Sequence, residues 1–321
     1  MTDNREECQF ELWTECNSKC TFCYLGKNNI KTPDEIKLKQ LDQVIKVVND
    51  PDTCEKFNKL AFIGGEFFQG QLNNAKVKEK FMQLFDDVSN LLNSDMINEV
   101  WVCATLTIGE QPELYEVLNK FKDLSKVWVL TSYDTIGRFH TQKMKETWLE
   151  NMRKLRKTYP ELKLNITSIL TGDFINKYMD DSLDLFGYAS ELKASIFLKP
   201  ACPMDRDEHT QMTKEETNKV LPNFFPTRDQ FLQFLYKFKQ QETDFMYDKL
   251  FNMKYRSDYL IRFDEDEMHC SHRVKEKQQE FYDKFTTNTV NKCGHSTQYQ
   301  IYLDDSGCAV CDKQMVKDLL S

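Results

Sequence analysis

Several features that would assign this chain to a familiar class are missing. It has no long apolar run: stretches such as VWVCATLTIG (100–109) fall well short of the roughly 20 residues a membrane helix needs. It has no basic block. Its 43 Lys and Arg lie scattered among 51 Asp and Glu, for a net charge of −8. General binding to a nucleic-acid backbone depends on clustered cations, so a polymeric nucleic acid is not the expected partner. The opening MTDNREECQFELW is acidic and polar where a secretory signal is basic and then apolar. There is no low-complexity linker, and no internal repeat beyond a strand–helix rhythm. What the chain does have is eleven cysteines. Without a secretion signal they point to a reducing, cytoplasmic compartment, where thiols serve metal or redox chemistry more often than disulfides.

A length of 321 residues suits an α/β barrel with an appendage, and 40% apolar with 12% aromatic residues suffices for a sizeable core. Strand-like segments rich in β-branched and aromatic residues recur up to about residue 200. They are QFELW (9–13), KLAFIGG (59–65), EVWVCATL (99–106), KVWVLTSY (126–133), LKLNITSIL (162–170) and ASIFLKP (194–200). Helical stretches fall between them: 33–48, 77–92, 112–121, 142–157 and 174–192. Strand then crossover helix, repeated about six times, predicts a parallel sheet with right-handed connections. The rhythm fits a partial barrel or an open doubly wound sheet. Both gather ligands at the C-terminal ends of their strands. After Pro200 the rhythm breaks, so residues 201–321 read as an appended region with a metal site of its own, following a 1–200 catalytic unit. TKEETNKVL and RDQFLQFLYKFKQQ are its predicted helices. The Phe spacing of the second marks a core-facing side rather than a base-stacking platform.

Immediately after the first strand stands CNSKCTFCYLG (16–26), which sets Cys16, Cys20 and Cys23 in the spacing C-x3-C-x2-C. Soft thiolates on one tight loop favour an iron–sulfur cluster or zinc. Four would close a site, whereas three leave one coordination position open, and open positions mark chemistry. A zinc knuckle borrowing a fourth ligand is the plainer alternative.

With Phe22 before the last cysteine, this motif resembles that of the radical S-adenosylmethionine superfamily. The resemblance implies a partial (β/α)6 barrel with a C-terminal metal-binding extension. It implies a 4Fe–4S cluster on Cys16, Cys20 and Cys23 whose fourth iron binds the amino and carboxylate groups of S-adenosylmethionine. One-electron reduction, from a flavodoxin- or ferredoxin-like donor, would then give a 5′-deoxyadenosyl radical that abstracts a substrate hydrogen. IGGEFF (63–68) resembles the family's GGE motif, with Phe67 where a proline is usual. Gly64 and Gly65 would let the backbone approach a ligand, and Glu66 would accept from its ammonium; a plain turn explains a glycine pair equally well. VCATLTIG (102–109) and VLTSYDTIGRFH (129–140) resemble the third- and fourth-strand segments of the family. The latter places Ser132 near the cofactor's ribose or carboxylate, with Asp134 beside it; ordinary capping is the alternative. Asn165 and Thr167 are further rim candidates.

Late in the chain, HCSHR (269–273), KCGH (292–295) and GCAVC (307–311) carry Cys270, Cys293, Cys308 and Cys311 beside His269, His272 and His295. Four sulfurs would complete a second 4Fe–4S cluster or a zinc site. CGHSTQYQIYLDDSGCAVC resembles a reduced form of the SPASM and twitch extensions of peptide-modifying radical enzymes. A full SPASM region has seven cysteines, so at most one auxiliary centre fits. Cys54 and Cys103 read as small core residues, and Cys202 as a rim thiol facing substrate or a cluster. A peptide or protein side chain, or a small molecule, is the expected substrate. A nucleotide or nucleobase, or a non-catalytic metal-binding adaptor or electron carrier, are the other readings.

Overall fold

A computed structural model describes residues 6–23, 31–201, 212–241, 259–264 and 267–272. Six parallel strands run in sequence order across one sheet: β1 (Glu6–Glu11), β2 (Phe57–Ile63), β3 (Glu99–Cys103), β4 (Val127–Ser132), β5 (Lys163–Leu170) and β6 (Ser195–Pro200). Each strand pairs with the next one in the chain. A doubly wound sheet must reverse its strand order somewhere, because its helices cover both faces. Here every crossover steps the same way, so right-handed connections put all the helices on one face. This is the order of a partial barrel, and the fold class is α/β.

The crossover helices are α1 (Asp34–Val48), α2 (Pro51–Lys56), α3 (Ala75–Asn93), α4 (Pro112–Leu118), α5 (Gln142–Thr158), α6 (Gly172–Met179) and α7 (Leu185–Leu192). Their starts are capped as the sequence dictates. Asn74 accepts from the Lys76 and Val77 amides, Thr141 from Met144 and Thr171 from Phe174. The predicted helix over 174–192 is two helices. The Asp180 carboxylate accepts from the Ser182 amide and hydroxyl, and Asp181 takes a left-handed φ of 60°. Short polar side chains here out-compete the helical ladder. The second strand starts two residues before its predicted start, and α2 was not predicted.

Alternation along the strands divides the sheet into two faces. Phe10, Phe62, Val100, Val102, Val127 and Val129 are buried beneath the helices; Phe10 stacks on Phe62, and Phe62 meets Phe85 of α3 at 4.9 Å. The other face is half-buried and polar. At its N-terminal end Trp101 stacks on Trp128 at 4.8 Å, with Lys59 over one ring and Lys163 over the other. Glu7 pairs with Lys59, while Glu99 accepts from the Trp101 indole and from Lys163. Cation, ring, ring and cation thus close the floor of the open face. Cys103, expected in the core, shares this face with Trp101, two residues earlier in β3. It sits in register with Leu130 and, through it, with Asn165.

Beyond the parallel strands, α8 (Lys214–Val220) opens with a Thr213–Glu216 capping box, and α9 (Arg228–Gln241) packs on α6. Phe231, Phe234, Leu235 and Phe238 bury the predicted apolar side of α9 in the main core. β7 (Tyr259–Asp264) joins β1 in parallel, and β8 (Glu267–His272) folds back on β7. His269, Cys270 and His272, in a stretch with no predicted element, therefore lie on an outer strand. Cys202, Cys293, Cys308, Cys311 and His295 fall outside the described residues, as does the side chain of Cys54. No helix among the described residues is long and apolar enough to cross a membrane.

Phe234 meets Tyr178 at 5.1 Å and Phe174 at 6.3 Å, so it anchors α9 to the barrel. Phe234→Ala is expected to lower stability by about 3–5 kcal/mol, read by urea denaturation; an unchanged midpoint would mean that α9 does not share the barrel's core.

Candidate functional site

The three cysteines follow β1 on a segment with no regular structure of its own, and its shape comes from three neighbouring loops. The first is the turn after β2. Gly65 N donates to Trp13 O at 3.0 Å and Glu66 N to Glu15 O at 2.8 Å. A Cβ on Gly65 would lie 2.2 Å from the Glu15 carbonyl oxygen, and one on Gly64 would lie 2.8 Å from that of Trp13. Both glycines are required because two backbones touch here. The close approach is between loops of the chain itself.

Glu66 is fully buried, and its carboxylate accepts from the amides of Phe67, Phe68 and Thr105 and from the Thr105 hydroxyl. A carboxylate offers about four lone-pair sites, so these donors commit Glu66 to bracing the turn and tying it to the loop after β3. Burial pushes its pKa up, against the lowering effect of those donors. Beneath the cysteine segment, Lys37 of α1 is itself only 1% exposed. It pairs with Glu15 at 2.8 Å, donates to Gln71 O and lies over the Trp13 ring. Removing one partner of such a buried pair strands the other.

The second support is the loop after β3. Ser18 Oγ lies 3.1 Å from Thr107 Oγ1, while the adjacent Asn17 donates back to Gln69 O of the loop after β2 at 2.6 Å. Leu106, buried and with a φ of 58°, is an outlier for a bulky residue. Asn151 of α5 holds it there by donating to the Leu106 and Gly109 carbonyls at 2.9 and 3.0 Å.

The third support is the loop after β4. Thr21 N donates to Gly137 O at 2.7 Å, and His140 Nε2 lies 3.2 and 3.0 Å from the Ser18 and Lys19 carbonyls. Gly137 has a φ of 77°, and a Cβ there would strike the Phe22 ring at 2.7 Å. Phe22 is thereby packed between Gly137 and Phe224, which it meets at 6.0 Å. Asp134 pairs with Arg138 at 2.5 Å through one oxygen and accepts from Ile169 N at 2.7 Å through the other. Ser132 ends β4 in register with Thr167, whose hydroxyl lies 3.3 Å from Asn165 Oδ1.

Within this cradle Cys16 Sγ accepts from Ser18 N at 3.4 Å, and Cys23 N donates to Cys20 O at 3.1 Å. Lys19 takes a left-handed φ of 49°, which curls the chain between Cys16 and Cys20. Burial raises the thiol pKa of Cys16, with Glu66 and Cys20 adding to the rise. Burial also raises Cys20; Arg138 opposes it, and Cys23 and Asp134 reinforce it. The thiols therefore feel one another's charge. Among the described residues no three His, Cys, Asp or Glu are placed to share a single metal ion. Burial pushes Cys103, on the open face, up to about 12, with Lys199 and Glu66 acting on it in opposite directions.

Sequence reasoning names Cys16, Cys20, Cys23, Phe22, Gly64, Gly65, Glu66, Ser132 and Asp134, and the structure gathers all nine on the C-terminal rim. Reading alone did not assign roles to Lys37, Ser18, Thr107 or Arg138. The four-residue step from Asp134 to Arg138 was the available signal for the last of these.

No protein-family profile matches this chain, and no curated protein matches it. Among solved structures it is similar to coproporphyrinogen III oxidase (HemN) from Escherichia coli, described as a radical SAM enzyme, with 15% identity and a TM-score of 0.42 over 73% of this chain and 53% of that one. It is similar to SuiB from Streptococcus suis bound to S-adenosylmethionine, at 11% identity and a TM-score of 0.41 over 80% and 56%. HydG, a maturase of the [FeFe]-hydrogenase, follows at 14% and 0.38 over 68% and 49%. The chain spans about half the length of each.

Gly65→Ala is expected to displace the cysteine segment and raise the rate at which a thiol reagent labels Cys16, Cys20 and Cys23 several-fold, read by mass spectrometry. Gly187→Ala is the control: its helical Cβ would meet nothing within 4 Å. It should keep the wild-type labelling rate and gain roughly 0.5–1 kcal/mol. Equal rates in both variants would mean that the loop contact does not shape the site.

Proposed function

We propose that this chain is a radical S-adenosylmethionine enzyme. The reading rests on one observation. The three-cysteine loop lies at the C-terminal rim of a singly wound parallel sheet, braced by the GGE turn on one side and by Gly137 and His140 of the loop after β4 on the other. Cys16, Cys20 and Cys23 would each hold one iron of a 4Fe–4S cluster and leave the fourth iron for the cofactor. When bound, that cluster would supply the electron that splits the sulfonium of S-adenosylmethionine and delivers a 5′-deoxyadenosyl radical for hydrogen abstraction.

The chain's own residues would do the positioning. Gly64, Gly65 and Glu66 fix the height of the cysteine loop above the strands. Gly137 and Phe22 fix its far end. Ser132 and Thr167 line the mouth of the open face, where cofactor and substrate would meet. The closed floor of Lys59, Trp101, Trp128 and Lys163 leaves the rim as the way in.

The substrate in this proposal is a peptide or protein side chain, the electron donor is flavodoxin- or ferredoxin-like, and the compartment is the cytoplasm. The substrate reading is supported by the sequence of residues 293–311 alone. Cys270, Cys293, Cys308 and Cys311 would hold a second centre, a 4Fe–4S cluster or zinc.

Reconstitution with iron and sulfide without oxygen, followed by dithionite and S-adenosylmethionine, should yield 5′-deoxyadenosine. Cys20→Ser should abolish it. Zinc in place of iron at this loop, or a loaded cluster without cleavage, would overturn the proposal. In the Cys16/Cys20/Cys23 triple alanine variant, about four irons remaining would identify an auxiliary cubane, and one zinc a structural site.

A further inference from the structure

The proposed cluster would sit in a rim already rich in negative charge. Glu66 and Asp134 are both buried, at 2% and 3% exposure, and three thiolates would join them. One half-buried cation faces this group from the loop after β4. The Arg138 side chain is 13% exposed, and its guanidinium lies 5.4 Å from the ring of Phe22, the residue between Thr21 and Cys23. Its neighbour Gly137 is hydrogen-bonded to Thr21, so the guanidinium is fixed relative to the segment carrying Cys20 and Cys23. Asp134 fixes it from the other side, and Ile169 N fixes Asp134.

We infer that Arg138, oriented by Asp134, is a positioning residue that sets the reduction potential of the centre held by Cys20 and Cys23. This rests on the proposed cluster. Its physical basis is simple. Reducing the cluster adds one electron, supplied by dithionite in the test below, with no proton taken up. A nearby fixed cation in a low-dielectric site favours the more negative, reduced form. The carboxylate of Asp134 offsets part of that effect, so the two residues should act with opposite sign. The guanidinium is charged at any working pH.

The test uses the reconstituted full chain without S-adenosylmethionine, titrated with dithionite and followed by electron paramagnetic resonance. Iron content is measured first. A wild-type chain that binds no cluster would remove the functional reading itself, and this inference with it. With the cluster loaded, Arg138→Gln should lower the reduced fraction at fixed potential by about tenfold, a shift of about 59 mV for one electron. Arg138→Lys should keep most of the wild-type value, and Asp134→Asn should shift it the opposite way. A merely structural role would reduce iron content in these variants without that reversal of sign. If Arg138→Gln loses its iron, the Lys and Asn variants decide. A rise for Asp134→Asn with a near-normal Arg138→Lys supports the inference; a shift of both downward, or none, overturns it, as does a loaded Arg138→Gln with an unchanged potential.

Discussion

The site depends on backbone touching backbone. A loop that presents three thiols has no helix or strand to stiffen it. Gly65 supplies what is missing by bringing the end of β2 against the carbonyls of Thr14 and Glu15, at a distance no side chain would permit. Two further contacts complete the support: Ser18 on Thr107, and Thr21 with Phe22 on Gly137. The cysteine loop is therefore shaped by the ends of strands β2, β3 and β4. Those ends are held in turn by a sheet whose helix-side face is continuous apolar core. Packing of Phe10 on Phe62, and of Phe62 on Phe85, thus bears on where the three thiols sit. If those strands shifted in register, the three sulfurs would shift with them.

How much of this could be read beforehand follows from what kind of signal each part leaves. The strands were legible because β-branched and aromatic runs of five to eight residues recur between amphipathic stretches. Their order across the sheet was not, since periodicity says nothing about which neighbour a strand chooses; the sequential pairing from β1 to β6 resolves the two architectures that the rhythm allowed. The break between α6 and α7 was missed because Asp180 and Asp181 resemble ordinary helix-surface residues until one forms a turn with Ser182. The outer strand bearing His269, Cys270 and His272 was missed for a related reason. A short polar stretch has no apolar pattern to announce it, and only pairing with β7 makes it a strand.

The site residues divide in the same way. Cys16, Cys20 and Cys23 were legible from spacing, because few other arrangements need three thiols so close. Gly64, Gly65 and Glu66 were legible as a motif, but their contacts within the chain were not. Reading gave them a ligand to meet; it had no means of showing that the glycines also admit the neighbouring loop, or that the carboxylate accepts from three amides and a hydroxyl of the rim. Lys37 left no signal at all: a lysine in an amphipathic helix usually faces water, and only the fold places this one under Trp13 and against Glu15.

The two faces of the sheet carry separate duties, and that separation bears on specificity. The face beneath the helices is mostly apolar, with Thr131 and Ser168 as buried polar exceptions, and serves to hold the strands. The opposite face mixes polar and aromatic residues, with the Trp101–Trp128 stack as its floor and the cysteine loop at its rim. Between floor and rim lies a row set by strand register: Cys103, Leu130 and Asn165, with Ser132 and Thr167 one step above. The bracing groups around the cysteine loop are already engaged with one another. Under the proposed function, a substrate entering past the loop would meet this row first. Changes within it would then alter which molecule is accepted, while changes in Gly65 or Glu66 would alter whether the proposed chemistry occurs. The first group lies on paired strands and the second on loops held by contact, so the row can vary without disturbing the thiols.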